Sequence, residues 1–170
     1  MSTPFTPAEV RHAVELLASR SLIRLVTEID DNGAIPPRRL AGTLPDLSTH
    51  QLRSASDTAR THGLIRVASG AGLELTDSGS ELADLYNAMA RWARRHAVPA
   101  PVCEFSRRIR HVLDLLAPSL TTEHGDGLAR LSAVTGAGAA ADLARPRTLL
   151  IQWLAANPEV ARAFEPEPVA

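Results

Sequence analysis

The chain runs to 170 residues, 45% hydrophobic and 22% charged, with a formal net charge of −1. These proportions exclude a disordered polyelectrolyte and predict one good core, or a small domain with a helical extension. The near-neutral sum also excludes a uniformly basic nucleic-acid coat, so any basic function has to be local.

No stretch approaches the roughly 18 apolar residues of a membrane span, so no membrane partner is expected. The opening MSTPFTPAEV has neither the charged start nor the apolar run of a signal peptide. Cys103 is the only cysteine, which excludes an intramolecular disulfide and points to a reducing cytoplasm.

In chain order, Val10, Ala13, Val14 and Leu17 recur at helical spacing over residues 7–19, behind a Pro7 suited to a first turn. A second helix is expected from about residue 21, with Leu22, Leu25, Val26 and Ile29 on one face. Asp30-Asp31-Asn32-Gly33 ends it. Ala34-Ile35 can pair as a minimal strand, and Pro37 starts a short helix ending near Leu44-Pro45.

Ser48 is an N-cap ahead of Leu52, Ala55 and Ala59, which bury one face of the next helix. Its opposite face carries His50, Arg53, Asp57 and Arg60, with Thr49 and Ser54 beside them, and Gly63 ends it. The runs 64–67 and 73–76 are β-prone and flank Ser69-Gly70-Ala71-Gly72, a hairpin signal. Residues 35–76 thus read as helix, turn, helix and hairpin, the winged form of the helix-turn-helix, in which an exposed polar helix enters the DNA major groove. Between Pro36 and Arg66, Arg38, Arg39, Arg53, Arg60 and Arg66 stand against Asp46 and Asp57, so this part is basic within a neutral chain.

Thr76-Asp77-Ser78-Gly79 then opens a long amphipathic helix with Leu82, Leu85, Tyr86, Met89 and Trp92 on one stripe, broken at 97–101. Residues 104–116 form another, with Phe105, Ile109, Val112, Leu113 and Leu116 in register and Pro118 closing it. A helix over 127–135, a small-residue connector over 136–141 and a helix over 146–156 follow. Asn157-Pro158 stops the last of these, before one further turn and an acidic, Pro-containing end. The apolar stripes exceed what one small domain needs. A homodimer is therefore expected, with Val14, Leu17, Leu85, Met89, Trp92, Ile109 and Leu113 at its interface.

The order of elements resembles the HxlR family of winged-helix transcriptional regulators, relatives of the MarR family. The residues that carry the resemblance are Leu40, Leu44-Pro45, Leu47-Ser48, Leu52, Gly63-Leu64-Ile65, Leu75-Thr76-Asp77-Ser78-Gly79, Leu82 and Trp92-Ala93. It implies a dimer joined by the flanking helices and a pseudo-palindromic operator. Redox-sensing members use a cysteine near the N-terminus, which this chain lacks, and the resemblance does not extend to the residues beyond 96.

Other chemistries find little support. Gly136-Ala137-Gly138-Ala139-Ala140-Ala141 fits a nucleotide-loop pattern, but too few residues follow for a βα fold and Asn157 falls near the acidic position. The six histidines are dispersed and no second cysteine exists, so no metal site is expected. No serine lies in a nucleophile setting, so no catalytic residue and no cofactor is expected.

The expectation is a mainly α chain with a small β-hairpin: a winged helix-turn-helix unit over residues 1–96 and a helical extension over 97–170 for dimerisation or for a ligand or partner. Double-stranded DNA is the expected partner, and a small-molecule effector is a further one. Major-groove contacts would come from Ser48, Thr49, His50, Gln51, Arg53, Ser54 and Asp57, the last accepting from a cytosine amino group. Arg38, Arg39 and Arg66 would neutralise phosphates. The alternative is a winged-helix dimerisation or adaptor module, such as the one small-molecule methyltransferases carry, without DNA binding.

Overall fold

A computed structural model describes residues 5–96, 104–121 and 124–162 of the chain. Cys103 and the acidic end lie outside the described residues. The described residues are mainly helical with one two-stranded antiparallel sheet.

Helix starts follow the caps that the sequence supplies. Helix α1, Pro7–Leu17, opens on a capping box in which Thr6 and Glu9 satisfy each other's backbone N–H. Helix α2, Arg20–Asn32, is capped by Ser19, and Gly33 at its end takes a φ of 85°. A 3-10 turn at Pro37–Arg39 leads into the single turn of α3, Leu40–Thr43. Helix α4, Thr49–Thr61, opens on a second capping box, between Ser48 and Gln51.

Strands β1, Ile65–Ala68, and β2, Gly72–Leu75, pair antiparallel with Arg66 opposite Glu74. Ile35 adds an antiparallel bridge to Leu73, as the sequence predicts. A side chain at position 72 would overlap the Ile35 carbonyl, so glycine there admits this third strand segment as well as the turn.

Thr76 caps α5, Asp77–Arg95. Helix α6, Phe105–Leu120, continues through Pro118, where the sequence predicts a stop. The proline falls in the last turn and removes one hydrogen bond there, while Leu116, Ser119 and Leu120 are buried. Helix α7 is His124–Thr135 and α8 is Ala137–Ala156, with Pro146 inside it. The small-residue stretch expected as a connector is therefore helical from Ala137, with only Gly136 (φ 89°) outside. One turn, α9, Pro158–Ala161, follows.

The residues expected to form two units share one hydrophobic cluster that runs from Val10 to Ala161. Helix α6 packs on both α1 and α5, α8 packs on α5, and α9 returns to α1. Side-chain hydrogen bonds join these layers: Tyr86 donates to the Leu17 carbonyl at 2.7 Å, Trp92 to that of Ala139 at 2.9 Å, and Trp153 to that of Ser78 at 3.0 Å. Arg147 is buried between α6 and α7, donating to Ser119 Oγ at 3.0 Å and to the Ser119 carbonyl at 2.7 Å. Gly127 leaves the room its guanidinium occupies. Burial lowers the Arg147 pKa from its ordinary value.

Candidate functional site

Helix α4 is held from behind and bare in front. Leu52, Ala55, Ser56 and Ala59 are buried, and the helix packs on α2, α3 and β1. Thr49, His50, Gln51, Arg53, Ser54, Asp57 and Arg60 are exposed. The amphipathic spacing predicts this division, since residues three and four apart share a face.

The turn before α4 is fixed by charge. Asp46 accepts from Arg24 at 2.9 and 3.0 Å and from Arg20 at 3.0 Å, which ties the turn to α2. Arg20 also reaches Glu104 at the start of α6, at 2.7 Å. The Arg24 hydrogen bonds hold the Asp46 carboxyl down at about 2. The Arg20 hydrogen bond, followed by that of Ser106, lowers the Glu104 pKa from its ordinary value. Sequence reasoning missed this network, because Arg20 and Arg24 stand more than 20 positions from Asp46 with no local signal linking them.

The expected contact residues do not all stand free. Ser48 and Gln51 are engaged in the capping box, so Gln51 Oε1 is committed to the Ser48 N–H at 2.8 Å. Arg66 lies opposite Glu74 on the hairpin and bonds it at 2.6 Å, which offsets its charge. Arg38 and Arg39 are exposed in the 3-10 turn, which runs into α3. Among the described residues no salt bridge involves Arg38, Arg39, Arg53 or Arg60. Asp46 is neutralised by α2 and Arg66 by Glu74, which leaves Asp57 as the remaining acid of residues 36–66 beside these four arginines. The stretch thus keeps its basic character without Arg66.

The residues expected at a dimer interface are taken up within one chain. Leu17, Leu85, Met89, Trp92, Ile109 and Leu113 are buried in the shared core, and Val14 packs partly buried against it. The three helices expected to meet a second copy pack on one another: α1 on α6, and α5 on α6 and α8. Periodicity shows that a face must be covered, and it does not show which chain covers it. At the end of α5, His96 meets Asp142 of α8 at 2.8 Å within the chain. Trp153 of α8 is buried against α5.

Among the described residues no group of three or more His, Cys, Asp or Glu side chains is placed to hold a metal ion, and no helix is long and apolar enough to cross a membrane. Ser56 Oγ and His62 Nδ1 are buried with no hydrogen-bond partner among the described residues, and burial lowers the His62 pKa. No protein-family model, curated protein or solved structure matches this chain.

Proposed function

We propose that the chain is a DNA-binding transcriptional regulator of the winged-helix kind, with α4 as the helix that enters the major groove and the β1–β2 hairpin as the wing. One observation carries the reading: α4 presents a continuous exposed polar face, and Arg53 and Arg60 on it, with Arg38 and Arg39 nearby, have no salt-bridge partner among the described residues. Exposed, unpaired guanidiniums beside short hydroxyl and imidazole side chains suit phosphate and base-edge contacts. Thr49, His50, Arg53 and Ser54 fall in the first two turns of α4, where side chains reach base edges in this motif.

Binding to an inverted repeat as a homodimer belongs to the same proposal. It no longer rests on the stripes of α1, α5 and α6, which are covered within the chain. A second reading, a protein adaptor, is favoured by the wing: Arg66 is paired with Glu74, and the tip Ser69-Gly70-Ala71-Gly72 carries no charge. Selection of bound fragments from random duplex DNA, with the purified chain at several salt concentrations, separates the two. An enriched inverted repeat, retained less as salt rises, supports the regulator. No retention at low salt overturns it in favour of the adaptor.

A further inference from the structure

Exposed arginines are not confined to the α4 region. In α5, Asp84, Asn87, Arg91 and Arg95 follow at the three- and four-residue spacing of one stripe, with Arg94 beside them. In α8, Asp142, Arg145 and Leu149 do the same. The two helices run antiparallel, because Trp92 bonds the Ala139 carbonyl near one end and Trp153 bonds the Ser78 carbonyl near the other. Their stripes border one groove of about 640 Å³. Small-molecule sites commonly enclose about 300–1,000 Å³.

Arg91, Arg94, Arg95 and Arg145 all line this groove. None makes a salt bridge among the described residues. Two carboxylates share the groove without pairing with them: Asp142 is held by His96 at 2.8 Å, and Asp84 makes no salt bridge among the described residues. The negative end of the α5 dipole accounts for Arg94 and Arg95 in its last turn. It does not account for Arg91 and Arg145, which stand on different helices and border the same space.

The groove is separate from the α4 face. Helix α5 begins against the hairpin, with Gly79 pressed on the Leu64 carbonyl. At 1.5 Å per residue, Arg91 and Arg95 lie roughly 20 Å along the helix from that point.

We propose that the α5–α8 groove binds a small organic anion carrying at least two carboxylate or phosphate groups on an apolar body. The guanidinium fork matches either group with two parallel hydrogen bonds, and four forks around one space match more than one negative charge. Leu149, 40% exposed, and the partly buried Phe105 supply the apolar surface. The inference is independent of what α4 contacts.

The test titrates the full chain with pyrophosphate, tricarballylate and benzene-1,3,5-tricarboxylate, and reads calorimetric heat and the melting temperature. Acetate and sodium chloride at matched ionic strength are the controls. A saturable response to at least one polyanion, absent with both controls, is expected. It should weaken roughly tenfold or more in Arg91→Gln and in Arg145→Gln. Arg130→Gln, an exposed arginine of α7, should leave it unchanged, and far-UV circular dichroism verifies that each variant is folded. Arg91→Lys, which keeps the charge and loses the fork, should fall between wild type and Arg91→Gln. Preference for pyrophosphate or for tricarballylate assigns phosphate or carboxylate, and tighter binding of the benzene tricarboxylate supports the apolar body. No polyanion response, equal responses in wild type and both glutamine variants, or a response that sodium chloride reproduces overturns the proposal. So does loss of duplex DNA binding in the variants without any small-anion binding, which would make the groove a nucleic-acid surface.

Discussion

The Tyr86 hydroxyl in α5 donates to the backbone carbonyl of Leu17, the last residue of α1, at 2.7 Å inside the core. A carbonyl in the last turn of a helix has no partner within that helix, and a buried one needs a donor from elsewhere. Burial pushes the Tyr86 phenol above its ordinary pKa, so it stays protonated and donates. Tyr86→Phe keeps the ring and strands the carbonyl. It should cost about 1–3 kcal/mol in urea unfolding, and a loss below about 0.5 kcal/mol would mean that the carbonyl finds another partner.

Gly79 sits in the first turn of α5, where alanine would ordinarily stabilise a helix by about 1 kcal/mol. A Cβ at this position would overlap the Leu64 carbonyl at the base of the hairpin. Gly79→Ala should therefore destabilise the fold, by about 1–3 kcal/mol. A raised melting temperature in this variant would show that α5 does not press on the hairpin as described.

Asp46 tests the pinning of the turn before α4. Its carboxyl is held at about 2, below the ordinary value near 3.8. A depressed carboxylate contributes stability that is full above the unfolded pKa and is lost as the pH falls through the folded one. The advantage of wild type over Asp46→Asn should thus be complete above about pH 4 and shrink toward pH 2. It should be modest, since the side chain is 33% exposed and solvent screens the pairs. Urea midpoints at pH 7, 4 and 2.5 measure it, and a difference that does not change with pH would remove the ion pairs as its cause.

Leu113, expected at a dimer interface, lies instead in the core of one chain. Leu113 is 1% exposed in the shared core, so Leu113→Asp places a charge where no water reaches it. The variant should lose cooperative unfolding, at a cost of several kcal/mol. A folded monomer from Leu113→Asp, seen by sedimentation together with circular dichroism, would restore Leu113 to an interface between chains.

Arg53 and Arg38 separate specificity from affinity under the proposed function. Arg53 is exposed in the early turns of α4, where a bidentate contact to guanine carries about 1–3 kcal/mol of discrimination. Arg38 is exposed in the 3-10 turn before α3, the element that crosses the phosphate backbone in this motif. Arg53→Ala should relax preference at one base pair of each half-site. Arg38→Ala should weaken all sequences alike and flatten the salt dependence by about one unit of slope. Equal shifts on operator and scrambled duplexes for both variants would show that α4 does not read bases.

The element order was legible in the sequence because its signals are local. Ser48 ahead of α4, Thr76 ahead of α5, Gly63 after α4 and the Ser69–Gly72 turn act within about four residues, through caps and backbone conformation that the residue type dictates. The exposed face of α4 was legible for the same reason: helical periodicity places Arg53 and Asp57 opposite Leu52 and Ala59. Tertiary structure decided everything that depends on who meets whom. The stripe from Leu82 to Trp92 is covered by α6 and α8 of the same chain, Asp46 is neutralised by Arg20 and Arg24, and Arg66 by Glu74. Pro118 and Pro146 remain inside helices because burial of their neighbours outweighs one lost hydrogen bond at each. Arg147 is the plainest case: its burial depends on Ser119, 28 positions away, and on the space left by Gly127. Residue type and spacing carry no record of such contacts, because their energy exists only once distant faces are packed together.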